Sequence, residues 1–178
     1  LSRLDLSPEE STYYTRIAHQ ARRRKEWLTW HVMIRELVGP GIKTTYEASG
    51  CPVLVGDPGF ISVSHSGDYV VLYYQAERCG LDIEDCGRAF DRVASRFIAP
   101  EEWQLLGKER DDRFMALIWC TKEADYKYAG IRGLDFLKGI RVTAIDSREG
   151  TLTVCLDGQH RMTLRYGFIK GHCLVYTL

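Results

Sequence analysis

The sequence predicts an α+β fold, and three observations lead there. Helical and strand patterns occur in both halves of the chain without regular β-α alternation, which disfavours a doubly wound sheet. The tail is a series of alternating apolar and polar runs separated by turn residues, as in an antiparallel sheet. The composition is that of an ordinary globular protein: 178 residues, 45% hydrophobic and 27% charged. A chain of this length can bury roughly 70% of its unfolded surface, so it needs no disulfide or metal staple. Lys plus Arg number 24 and Asp plus Glu number 24. With no net field of either sign, a dedicated nucleic-acid or membrane binder is not expected. The six cysteines form no C-x-x-C pair and no zinc spacing with the five histidines, and read as reduced, partly buried thiols of a cytoplasmic protein. No run approaches the roughly 18 apolar residues of a membrane span, and nothing reads as a signal peptide. The chain opens on Leu1 in place of Met, so an upstream segment is expected.

Ser7-Pro8-Glu9-Glu10 starts the first helix, with Ser7 as cap and Glu10 placed to reach back to it. A second helix puts Trp27, Trp30, Ile34 and Leu37 on one face and stops at Gly39-Pro40-Gly41. From Thr44 to Gly59 the composition turns to Gly, Pro and small residues, which predicts loop. Phe60 to Ser64 and Tyr69 to Tyr74 read as strands joined by a turn at Ser66-Gly67-Asp68, and Cys79 to Glu84 as another. Pro100-Glu101-Glu102 opens a short helix. Asp111 or Asp112 caps a longer one that ends at Gly130. Strands follow at 140–145, 152–156, 162–166 and 173–177, with Asp157-Gly158 as one of the turns.

Four segments carry candidate chemistry. In the first, Asp82 and Glu84 lie two apart in a strand and share a face, while Leu81 and Ile83 turn to the core. Two like charges so close repel unless a cation lies between them, and a hard ion such as Mg2+ suits oxygen ligands. A solvated strand edge is the plain alternative. In the second, Trp119, Glu123 and Lys127 are four apart on a helix, with Lys122 beside them. This is either a packed Trp with an ordinary Glu-Lys pair, or a third carboxylate and two ammonium groups completing a metal and phosphate site. The third, Ser64-His65-Ser66-Gly67, ends a strand in a turn whose His and backbone N–H groups suit an anionic oxygen. It does not suit a Ser-His hydrolase, because adjacent strand residues point to opposite faces. The fourth, Arg22-Arg23-Arg24-Lys25, is a solvated helix face or a phosphate clamp.

Taken in order, these segments resemble the 4'-phosphopantetheinyl transferases of the single-chain, surfactin-synthetase-activating type. Arg23-Arg24-Lys25-Glu26-Trp27-Leu28 is similar to an early R-R-x-E-W-L helix, and Ser64-His65-Ser66-Gly67 to the S-H-S-G turn. Gly80-Leu81-Asp82-Ile83-Glu84 matches G-[IV]-D-[IV]-E, and Trp119-Cys120-Thr121-Lys122-Glu123-Ala124 with Lys127 matches W-x-x-K-E-A-x-x-K. The resemblance implies two pseudo-symmetric halves (1–76 and 77–178), each with helices packed on an antiparallel sheet, and coenzyme A and Mg2+ (or Mn2+) between them. The C-terminal half would carry the metal and catalytic motifs.

It further implies transfer of the phosphopantetheine arm to a serine of an apo acyl or peptidyl carrier protein of fatty acid, polyketide or nonribosomal peptide synthesis. Asp82, Glu84 and Glu123 would hold the metal. Glu123 and Lys127 would be catalytic. Arg23, Arg24, Ser64, His65, Lys122 and Lys127 would bind the coenzyme. A monomer is implied, and an inactive coenzyme or carrier binder is the alternative. The family's G-K-P is Gly50-Cys51-Pro52 here, and its basic residues after the first helix start are Glu10, Ser11, Thr12 and Tyr13. The missing contact is expected to be absent or supplied by the arginine run. Relatives also carry a strand ahead of Ser7, so a trimmed start or an abbreviated N-terminal half is expected. A carrier-receiving surface is expected between Arg88 and Leu106, where Phe90, Val93 and Phe97 are either exposed beside Arg88, Arg92 and Arg96 or packed in the core.

Overall fold

The computed structural model describes residues 4–105 and 111–178. Leu106, the far limit of the expected carrier surface, lies outside them. Two α-helices, α1 (Pro8–Arg16) and α2 (Ala21–Leu37), precede an antiparallel meander of β1 (Lys43–Tyr46), β2 (Pro52–Val55), β3 (Phe60–Ser66) and β4 (Tyr69–Gln75). Strand β5 (Leu81–Asp85) follows, then a 3-10 turn (Ala94–Arg96), α3 (Pro100–Gln104) and α4 (Asp112–Ala129). A second meander of β6 (Ile140–Asp146), β7 (Thr151–Leu156), β8 (His160–Ile169) and β9 (His172–Thr177) closes the chain, with β5 added antiparallel to β9. This is the expected α+β class, and helix-helix-meander occurs twice.

Local chemistry sets the helix ends. Ser7 accepts from Glu10 N at 3.1 Å while the Glu10 carboxylate accepts from Ser7 N at 2.9 Å, a reciprocal cap. Asp111 caps α4 through Phe114 N at 2.9 Å, and Gly130, at φ 64°, ends it in the left-handed region.

Each meander buries one face under its helices. The N-terminal core gathers Ile17, Trp27, Trp30, Ile34, Ile42, Leu54 and Ile61; the C-terminal core is built around Phe90, Phe97, α4 and the inner faces of β6 to β9. Three expectations are corrected here. The stretch read as loop contains β1 and β2, whose four-residue length leaves little alternation to detect. Leu37, in the last turn of α2, is 60% exposed, and the stripe is completed by His31 and Arg35 instead. Phe90 and Phe97 are fully buried, so they cannot be exposed carrier contacts; Arg88, Arg92 and Arg96 are on the surface.

Candidate active site

The two halves meet where β3 runs beside β5. Alternation on β3 turns Ser62, Ser64 and Ser66 toward β5 and His65 the other way. Ser62 Oγ accepts from Leu81 N at 2.9 Å, and Ser64 Oγ donates to Asp82 Oδ1 at 2.6 Å. Ser66 Oγ donates to Glu84 Oε1 at 2.9 Å and accepts from Asp85 N at 3.1 Å. His65 is half-exposed and sits 3.4 Å from Glu26 of α2, which also accepts from Arg22 at 2.8 Å. The expected opposition of Ser64 and His65 is therefore observed, and no Ser-His dyad forms between them.

Across from β5, α4 contributes Glu123 and Lys127. Trp119 anchors this helix among Phe90, Phe97 and Phe136, with ring centroids 5.1–6.3 Å apart. Gly80 permits the approach of β5, because a Cβ there would collide with the Ala124 carbonyl. Lys127 Nζ donates to Asp82 Oδ1 at 2.7 Å and to Leu81 O at 2.9 Å. Glu84 pairs through its other oxygen with Arg88. Glu123 accepts no hydrogen bond from the described residues. Burial raises its pKa to about 7, and the Asp82 and Glu84 charges add to that against the pull of Lys127 and Arg88.

This corner gathers three carboxylates, Asp82, Glu84 and Glu123, against two positive groups. Its donors are all carboxylate oxygens, the class that fits a small hard divalent cation. Among the described residues no three acidic, His or Cys side chains already converge at coordination distance, and the positive charges at the corner are Lys127 and Arg88. A cation would have to draw the carboxylates together.

Beside Lys127 opens a cavity of about 370 Å³ lined by Cys51, Phe60, Arg78 and Tyr126, with Glu47 and Asp57 also on it. Its basic groups are Arg78 and Lys127, and no residue of the arginine run lines it. Arg23 instead donates to Tyr13 Oη at 3.1 Å, and Arg24 to Tyr14 Oη at 2.8 Å, bracing α2 on α1. Glu10 is 1% exposed and acidifies no surface.

Lys122 is the clearest correction. It is fully buried, and Nζ donates to Glu102 Oε2 and to Phe136 O, both at 2.8 Å. Successive helix residues diverge by about 100°, so when Glu123 faces the corner Lys122 faces α3, out of reach of a phosphate. Ser64 is likewise committed to Asp82 and only 7% exposed. The sequence reading missed Glu102, although a second Pro-Glu-Glu after the one at 8–10 marks it as a repeated element.

A family model described as the 4'-phosphopantetheinyl transferase superfamily matches residues 78–176. The 4'-phosphopantetheinyl transferase psf-1 of Bacillus pumilus is 35% identical over 135 residues, 74% of this chain and 53% of that protein. The 4'-phosphopantetheinyl transferase Sfp of Bacillus subtilis (strain 168) is 25% identical over 136 residues, 70% of this chain and 60% of its own length. The chain thus spans between half and two thirds of these relatives. Among the described residues no helix is long and apolar enough to cross a membrane.

Proposed function

Since the chain belongs to the 4'-phosphopantetheinyl transferase superfamily, we propose that it moves the phosphopantetheine arm of coenzyme A onto a serine hydroxyl of an apo-carrier protein. The observation that carries this reading is that Glu123 of α4 feels the charges of Asp82 and Glu84 of β5, with Lys127 bonded to Asp82 and a cavity opening beside it between the halves.

Asp82, Glu84 and Glu123 would hold Mg2+ (or Mn2+). When bound, the ion supplies Lewis-acid charge neutralisation for the pyrophosphate. Residues of this chain do the rest. Glu123, which accepts no hydrogen bond from the described residues, takes the proton from the carrier serine. The serine oxygen forms its bond to the β-phosphorus while the bond to the oxygen bridging to the α-phosphate breaks, and adenosine 3',5'-bisphosphate departs. Lys127, poised between Leu81 O and Asp82, takes up charge developing on that leaving group. The half-exposed His65 ring and the exposed Arg22 and Lys25 offer contacts to the coenzyme's phosphates near the 64–67 turn. One chain supplies both walls of the corner, which suits a monomer, and its free thiols suit the cytoplasm. The carrier's pathway is any that uses a phosphopantetheine thiol.

The test is incubation with coenzyme A, Mg2+ and a panel of apo-carriers, followed by mass spectrometry. A gain of one phosphopantetheine on a carrier is expected. Tight coenzyme binding without transfer to any carrier would instead make the protein a binder, and coenzyme breakdown without a carrier would make it a hydrolase.

A further inference from the structure

We infer that Ser64 and Ser66 are positioning residues: through their hydroxyls the N-terminal half sets the orientation of the two cation-facing carboxylates of β5. The inference rests on the proposed cation site.

Strands β3 and β5 belong to different sheets and share no backbone ladder. Three serine hydroxyls join them, and the partner numbers rise together: Ser62 with Leu81, Ser64 with Asp82, Ser66 with Glu84 and Asp85. Period two on both strands brings the second and third serines opposite Asp82 and Glu84. Proton accounting fixes each bond's direction. A carboxylate only accepts, so the single proton of Ser64 goes to Asp82 Oδ1; Ser66 accepts from Asp85 N and spends its own proton on Glu84 Oε1. Ser64 is 7% exposed and Ser66 6%, so water does not readily replace either hydroxyl.

The consequence at each carboxylate is specific. Asp82 Oδ1 receives Ser64 and Lys127 together, which fixes the carboxylate plane from two directions. Glu84 Oε1 receives Ser66 and Asp85 N while Oε2 meets Arg88. Removing a hydroxyl takes away one of the few bonds that set a carboxylate's orientation and weakens a cation it helps to hold; partners of this outer kind are worth about 10- to 100-fold in metal affinity. Ser62 is the built-in control, since it touches only the backbone N–H of Leu81. Its loss orphans that donor and lowers stability without touching a carboxylate.

The experiment is Mn2+ binding by electron paramagnetic resonance on the whole protein, with and without coenzyme A, alongside thermal melts. Ser64→Ala and Ser66→Ala are expected to weaken Mn2+ about tenfold or more. Ser64→Thr, which keeps a hydroxyl, should restore most of the affinity. Ser62→Ala should lower the melting temperature and leave Mn2+ affinity unchanged. Folded Ser64→Ala and Ser66→Ala binding Mn2+ as the unaltered protein does would overturn the inference alone. Equal weakening by Ser62→Ala would also overturn it, since the effect would then be general loosening. An unaltered protein that takes up no Mn2+ would remove the cation reading, and this inference with it.

Discussion

The two halves repeat one clasp and differ in what is added to it. In the first, Glu10 of α1 accepts from Ser7 N, from Thr44 N at the start of the meander, and from Arg35 of α2 at 3.0 Å. In the second, Glu102 of α3 accepts from Ala99 N, from Val142 N at the start of the other meander, and from Lys122 of α4 at 2.8 Å. Both glutamates follow Pro-Glu, and both lash a short helix, a long helix and a first strand together. The second half then gains β5 on the β9 edge, whereas β4 has no such neighbour among the described residues. Asp82 and Glu84 lie on that added strand. The repeated part gives stability, and the candidate chemistry gathers where the repeat is broken.

If that division holds, the largest effects come from Glu123 and are seen in activity. Glu123→Gln removes a candidate base and one carboxylate of the corner; transfer to a carrier, read by mass spectrometry, should fall about 10²- to 10⁴-fold. The melting temperature should hold or rise, because a buried charge repelled by Asp82 is gone. Transfer near the unaltered rate would break the comparison.

Lys122, one residue away, should behave in the opposite manner. Lys122→Met leaves the Glu102 carboxylate buried without its cation, a loss on the order of 3–5 kcal/mol measurable by denaturant unfolding. Coenzyme affinity of the folded fraction should not change. Arg35→Met should cost less, since Arg35 retains some exposure at 8% and Glu10 keeps donors from Ser7 and from both Thr44 groups. Stable Lys122→Met protein that no longer binds coenzyme would reverse the assignment.

The contrast between Glu123 and Lys122 also marks the limit of the sequence reading. Short-range rules were sufficient where periodicity decides: two residues apart put Asp82 with Glu84, and four apart put Glu123 with Lys127. They cannot say which helix face meets which neighbour. Lys122 finds Glu102, twenty positions earlier, only after α3 has docked. Likewise, alternation separates Ser64 from His65, but only the packing of β3 on β5 tells which of them meets the acids. β1 and β2 escaped because four-residue strands between Gly-rich turns take their stability from register partners such as Thr44 with Leu54.

The smallest effects, and the sharpest contrast of sign, concern acid. In the first half burial depresses His31 to about 4 from 6.5, although its bond to Trp27 O and the Glu10 charge oppose this; Arg35 adds to the depression. The unfolded chain therefore takes up a proton below pH 6.5 that the folded chain refuses, and stability falls as pH drops toward 4. In the second half Asp125, fully buried with both oxygens unpartnered, is raised by burial to about 6 from 3.8, with His160 lowering it and Asp157 raising it. Its folded form gains the proton first, so stability rises as pH drops through 6. Glu123, raised to about 7, acts in the same direction. Between pH 7 and 5 each of His31 and Asp125 contributes on the order of 1–2 kcal/mol, in opposition. The unaltered protein should gain stability between pH 7 and 5, because Asp125 and Glu123 together outweigh His31. His31→Gln should enlarge that gain at pH 5, and Asp125→Asn should raise stability at pH 7 and shrink the gain on acidification. Parallel slopes in the two variants would mean that the halves do not titrate apart.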